Sequence, residues 1–237
     1  MPIFQSKDVS INYEIFGSGF PILLFAPGGM RSAIPFWTGS PWNPIESLQN
    51  DFQVIAMDQR NAGNSKAPVS GGDGWSTYTR DHVALLDHLG VDKCHALGGC
   101  IGGPYCLGLI EAIPDRVCSA VLQQSIGAEN NQDLFFEMFD QWANAIKTDH
   151  PEASEQDWIS FRSNMFEQEF VYNVDREFVQ SLSTPLLILM GSDAYHPESI
   201  SREIHALAPN SILKENWQNA DDNTEAEVLK FLKDNTP

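Results

Sequence analysis

Basic residues are scarce in this chain. Only 14 Lys and Arg stand against 32 Asp and Glu, a formal net charge of −18 at pH 7. Bulk charge therefore argues against nucleic acid and anionic membrane as partners. Cysteine is sparse too, and Cys94, Cys100, Cys106 and Cys118 form no CxxC pair and no zinc spacing. No metal and no cofactor are expected. Apolar runs of membrane-spanning length are missing, and Met1-Pro2-Ile3 opens with no basic or apolar leader region. Reduced thiols in a cytoplasm are the expectation. Internal repeats and low-complexity segments are absent as well.

What is present suits one large α/β domain with an insertion, since 237 residues with 42% hydrophobic content suffice for a core. Ile3 to Ser6 and Ile11 to Phe16 alternate around a polar turn and predict an antiparallel hairpin. Continuous apolar runs of buried-strand length follow at Pro21 to Ala26, Phe52 to Ala56, Val117 to Gln123 and Thr184 to Met190. Ile34 to Trp42, rich in Pro and aromatics, reads as irregular. Thr77 to Leu89 has helical spacing and is stopped by Gly90, and helices are expected at Glu198 to Leu207 and Ala226 to Lys233 around a last strand at Ile212 to Glu215. Strands alternating with helices predict a mostly parallel sheet with helices on both faces. From Gly127 to about Leu182 the pattern is aromatic and all-helical, as in Leu134, Phe135, Met138, Phe139, Trp142 and Ile146. Residues 128–182 are expected to form a small helical cap on a core of residues 1–127 and 183–237, with a few aromatics lining a pocket.

The stretch Ala96-Leu97-Gly98-Gly99-Cys100-Ile101-Gly102-Gly103-Pro104 organises the rest. It has the form G-x-nucleophile-x-G between a short strand, Lys93 to Leu97, and a helix from about Gly103. A side chain on such a strand-to-helix turn is held strained at the top of a sheet, and flanking glycines let the backbone pass. The helix N-terminus favours a thiolate at Cys100. A plain packing turn with a buried cysteine is the competing reading.

Four segments together resemble the α/β-hydrolase fold. Pro27-Gly28-Gly29 resembles its oxyanion loop, with proline in place of histidine. Asp58 to Ser65 resembles its D-x-R-G-x-G-x-S segment, with Asn61 at the first glycine. Leu85 to Gly103 resembles its helix, strand and nucleophile elbow, and Asp193 to Pro197 its triad-acid loop. A cysteine at the elbow is similar to dienelactone-hydrolase-like members. The resemblance implies a Cys100 nucleophile and an oxyanion hole from the amides of Ile101 and of Gly29 or Met30. An ordinary thiol near pKa 8.5 is only about 3% ionised at pH 7; one brought to about 7 would be roughly half ionised.

The family's histidine follows the last strand, but Asn216-Trp217-Gln218-Asn219-Ala220-Asp221-Asp222 contains none. A thiolate lacking a base acylates and stalls, because deacylation needs an activated water. His82, His88, His95, His150 and His205 fall on structural or exposed positions. His196 lies in the acid loop, three residues after Asp193, so a Cys100–His196 pair is geometrically accessible, against the plainer reading of a loop contact. Asp193 would orient it or position water, with Glu129 as a fallback acid. Two classes stay open: a hydrolase of a small ester, lactone or thioester through a Cys100 acyl-enzyme, or a silent fold member binding a small apolar ligand or partner. Carbon–carbon bond or lyase chemistry on the same fold is a third. A small-molecule substrate is the expected partner, and self-association is left open.

Overall fold

The computed structural model describes residues 2–219 and 223–237. Its eight strands are β1 Ile3–Ser6, β2 Val9–Phe16, β3 Phe20–Phe25, β4 Phe52–Met57, β5 Cys94–Gly99, β6 Val117–Gln123, β7 Leu186–Leu189 and β8 Ser211–Lys214. They make one sheet in the order β1-β2-β4-β3-β5-β6-β7-β8. β1 and β2 pair antiparallel, β2 meets β4 antiparallel, and every later pair is parallel.

Alternation along the strands sorts side chains between two core layers. Ile22, Leu24 and Ala26 of the β3 segment point into one layer with Leu97, Val121 and Leu187. Leu23 and Phe25 point into the other with Ala96, Ala120 and Leu122. The β3–β7 strands are buried on both faces, which is why they read as apolar runs rather than alternating ones.

The helices are α1 Pro44–Leu48, α2 Trp75–His88, α3 Gly102–Ala112, α4 Gln132–Ile146, α5 Glu155–Phe166, α6 Arg176–Ser181, α7 Glu198–Leu207 and α8 Thr224–Asp234. α3 is apolar all round because Gly102 to Ile110 are all buried. Between β6 and β7 the chain is less helical than its composition predicts. After α5, residues 167–175 turn irregularly, with Phe170 and Tyr172 at positive φ. Ile34–Gly39, expected to be irregular, forms a 3₁₀ helix. Ala220, Asp221 and Asp222 of the loop after β8 lie outside the described residues.

The Asp58 segment anchors the wall of the site. Asp58 accepts hydrogen bonds from the Ile34 and Asn64 amides at 2.8 Å and from Asn12 Nδ2 at 2.9 Å. Asn61, where the family pattern has glycine, sits at φ +56°. Asparagine tolerates this left-handed region, and its Oδ1 accepts from the Ala67 amide at 2.8 Å.

Candidate active site

The turn from β5 into α3 holds Cys100 at φ +59°, a conformation costing about 1–3 kcal/mol for a side-chain-bearing residue. Backbone bonds hold it there. The Cys100 amide donates to the Gln123 carbonyl at 2.9 Å, and the Cys100 carbonyl accepts from Gly103 at 3.1 Å. Glycine is required just before it, since a Cβ on Gly98 would lie 2.0 Å from the Gly102 oxygen. The thiol is half-buried.

A second short loop follows β7. Asp193 Oδ1 accepts from the amides of Tyr195 at 2.9 Å and His196 at 3.0 Å, and Asp193 Oδ2 meets His196 Nδ1 at 2.8 Å. This turn brings the His196 ring onto the Asp193 carboxylate, which itself stays half-exposed. Nδ1 being taken, Nε2 is left without a hydrogen-bond partner among the described residues. It borders the same cavity as the Cys100 thiol, near enough for each to shift the other's titration, and the Gly28 and Ile101 amides lie near that sulfur too.

The charges follow from that geometry. Burial pushes the Cys100 thiol up, but the neighbouring His196 ring and its charge, with the two amides, outweigh it and leave the thiol below its ordinary value. Burial pushes His196 down, yet Cys100 and then Asp193 raise it to about 9. Burial pushes Asp193 up, and His196 with the loop amides brings it below the usual carboxylate range. Both shifts run in the direction that favours a thiolate beside an imidazolium.

The sequence model of the alpha/beta hydrolase fold family matches residues 21–181. This chain belongs to that family. A protein named as the carbamate hydrolase RutD in Azorhizobium caulinodans is 36% identical over 122 residues, 52% of this chain and 43% of that one. The 2-hydroxymuconate semialdehyde hydrolase of Pseudomonas putida is 33% identical over 111 residues, 47% of this chain and 38% of its own. The chain thus matches less than half the length of these curated relatives. Among solved structures, the enol-lactonase of Burkholderia xenovorans LB400 superposes with a TM-score of 0.72 at 16% identity, covering 98% of this chain and 100% of its own. At that identity the likeness shows the fold alone.

Other sequence-selected residues of this alpha/beta hydrolase fold chain are placed differently. The Met30 amide donates to Met138 Sδ at 3.4 Å rather than facing the thiol. Gly29, at φ +57°, lies under the same sulfur, where a Cβ would come within 2.6 Å. The amide beside the thiol is that of Gly28, which sequence reasoning passed over. A Pro-Gly-Gly-Met loop gives no local signal for which amide turns inward.

A cavity of about 540 Å³ opens at Cys100 and His196. Its walls are Pro27, Pro35, Phe36 and Pro41, with Gln123 and Gln124 at the sheet end. No residue of 128–182 lines it, so the expected aromatic lining from the insertion is not found there. Those aromatics satisfy one another instead: Phe139 lies 5.2 Å from Phe161 and 5.3 Å from Trp142, and Phe135 lies 5.3 Å from Phe166.

The remaining titratable candidates have structural partners. His82 is fully buried against Gln59 at 2.7 Å, and burial pushes it down to about 3. His95 contacts Ser119 and Thr236, and burial lowers it to about 4. His150 pairs with Glu152 and His205 with Ser211. Glu129 is exposed, and the acid on His196 is Asp193. Burial pushes Cys94 and Cys106 up, which suits inert core thiols. Among the described residues no group of three acidic, His or Cys side chains is placed to hold a metal, and no helix is long and apolar enough to cross a membrane.

Proposed function

We propose that this protein hydrolyses a small ester, lactone or thioester through an acyl-enzyme on Cys100. The observation carrying this reading is the Asp193–His196 Nδ1 bond placed beside Cys100 on one cavity, with Nε2 left free. In the first half-reaction the thiolate attacks the carbonyl carbon, the C–S bond forms and the carbonyl oxygen becomes an oxyanion. The Gly28 and Ile101 N–H groups that surround the sulfur are the proposed donors to that oxyanion. Collapse breaks the bond to the leaving group, which takes the proton from His196 Nε2. In the second half, neutral His196 accepts a proton from water as the water attacks the thioester. The acid product leaves, and thiolate and imidazolium are restored.

His196 thus fills the role left open by the histidine-free loop after β8, which weakens the silent-binder alternative. Residues 128–182 are assigned as a cap that touches the oxyanion loop through Met138 and Gln141. A reducing, cytoplasmic setting suits a chain with four free thiols.

The test is pre-steady-state cleavage of p-nitrophenyl acetate, with intact mass spectrometry of quenched samples. Continued turnover with a transient acetyl adduct, lost in Cys100→Ala, supports the reading. His196→Ala is expected to slow deacylation more than acylation. Absence of adduct and turnover would sink the hydrolase and favour the silent binder.

A further inference from the structure

Beside the nucleophile stands a buried amide with one end unused. Gln123 closes β6 in register with Gly99, and its carbonyl receives the Cys100 amide at 2.9 Å. Adjacent strands run about 4.8 Å apart, so Gln123 is the immediate lateral neighbour of the elbow. Its side chain is 1% exposed and borders the cavity at Cys100 and His196. Nε2 donates to Ser40 Oγ at 2.7 Å, on the loop that forms the opposite wall. That bond fixes the amide plane, and Oε1 has no hydrogen-bond partner among the described residues.

Buried carbonyl oxygens in folded proteins nearly always find a donor, and an orphan at a functional cavity needs an explanation. Pro27, Pro35, Phe36 and Pro41 offer no side-chain donor, and Ser40, Gln124 and His196, which also line the cavity and do carry donors, make no hydrogen bond to this oxygen. A ligand in the cavity would meet a mostly apolar surface in which the Gln123 oxygen is an unpaired acceptor.

We infer that Gln123 Oε1 is a specificity-determining acceptor that selects acyl groups carrying an O–H or N–H donor within about three bonds of the carbonyl carbon. Hydroxyacyl and amidoacyl esters are the class implied. The inference rests on the Cys100 acyl-enzyme reading. A donor-bearing acyl group satisfies the orphan oxygen as the thiolate attacks. Its methyl ether leaves that oxygen unpaired and crowds it, and sites built on such a bond discriminate strongly against the analogue lacking it.

The experiment compares kcat/KM for p-nitrophenyl esters of glycolic and 3-hydroxypropionic acids with those of their methyl ethers. Each hydroxy-to-methoxy ratio is divided by the same ratio for uncatalysed hydrolysis, which removes intrinsic reactivity. The parent protein is expected to favour at least one hydroxy ester by about 10- to 100-fold beyond the uncatalysed ratio. Gln123→Met should bring that preference to within about threefold of the uncatalysed value. Gln123→Glu, which keeps an acceptor and accepts from Ser40, should retain it. A parent ratio equal to the uncatalysed one for both pairs overturns the inference, as does a preference surviving unchanged in Gln123→Met. Mass spectrometry on the same samples separates the failures. An acyl adduct on Cys100 with flat ratios removes only the role of Gln123, whereas no adduct from any ester removes the thiol hydrolase and this selectivity with it.

Discussion

Two loops at the same end of the sheet divide the work differently. The loop after β7 spends its polar groups on chemistry, for Asp193 binds two amides and the His196 ring, and the ring is left facing the thiol. The loop after β8 is where the family resemblance locates a histidine, yet the buried side chain among its described residues is Trp217. That indole is 4% exposed, packs with Leu187 and Leu189, and donates to the Met190 carbonyl at 2.9 Å. In the proposed mechanism one loop carries the proton relay and the other carries a plug. A nucleophile can therefore recruit its base from whichever neighbouring loop turns a ring nitrogen toward it.

Four changes break or sharpen this contrast. The largest effect is expected from His196→Ala, which removes the proton carrier from both half-reactions. Turnover should fall by about 10²–10⁴-fold with the melting temperature nearly unchanged. Retention of steady-state turnover would return the base role to some other group. Next comes Asp193→Asn, which keeps the loop's shape but removes the charge that helps raise His196. Steady-state kcat/KM should drop about tenfold or more, and the alkaline limb of its pH profile should move to lower pH.

In the parent protein the pH profile itself is the third test. The thiolate–imidazolium pair persists above the lowered Cys100 pKa and below the raised His196 pKa of about 9. Activity should fall on the acid side as the thiolate is protonated, and on the alkaline side near pH 9 as His196 loses the proton it gives the leaving group. Iodoacetamide labelling of Cys100 should share only the acid limb, lying below the ordinary thiol value. An acid limb at or above that value would remove the ion pair.

The smallest effect belongs to the other loop. Trp217→Phe deletes the buried indole N–H and leaves the Met190 carbonyl short of a donor, a loss of about 1–2 kcal/mol of stability by denaturant titration. Its pH profile should match the parent's. A displaced alkaline limb would mean the plug also shapes the relay.

Much of the architecture was legible in the residue pattern. Apolar runs such as Ile22 to Leu24 and Leu186 to Leu189 mark buried strands because both faces of a covered sheet exclude water. Cys100 was legible as a candidate because its glycine-bracketed turn came with the other family-like segments in order, whereas the glycines alone equally fit a packing turn. His196 was legible only as a neighbour of Asp193, since the turn that brings its ring onto the carboxylate depends on amide geometry with no composition of its own. Gly28 and the cavity wall were not legible. Which amide faces the sulfur, and which loop covers it, depend on contacts such as Asp58 to Ile34 and Met138 to Met30 that join distant parts of the chain. The aromatic insertion misled for the same reason, because helical spacing reveals an apolar face and not what that face meets.

The position of His196 has a consequence for how the protein can change. Every group with a role in the proposed mechanism lies between Gly28 and His196, so that mechanism asks nothing chemical of the last forty or so residues. There β8 closes the sheet beside β7, while Val228 and Leu232 of α8 sit fully buried in one core layer. On that mechanism, drift in that tail is filtered by packing alone, and substitutions there can accumulate on exposed faces without touching the reaction.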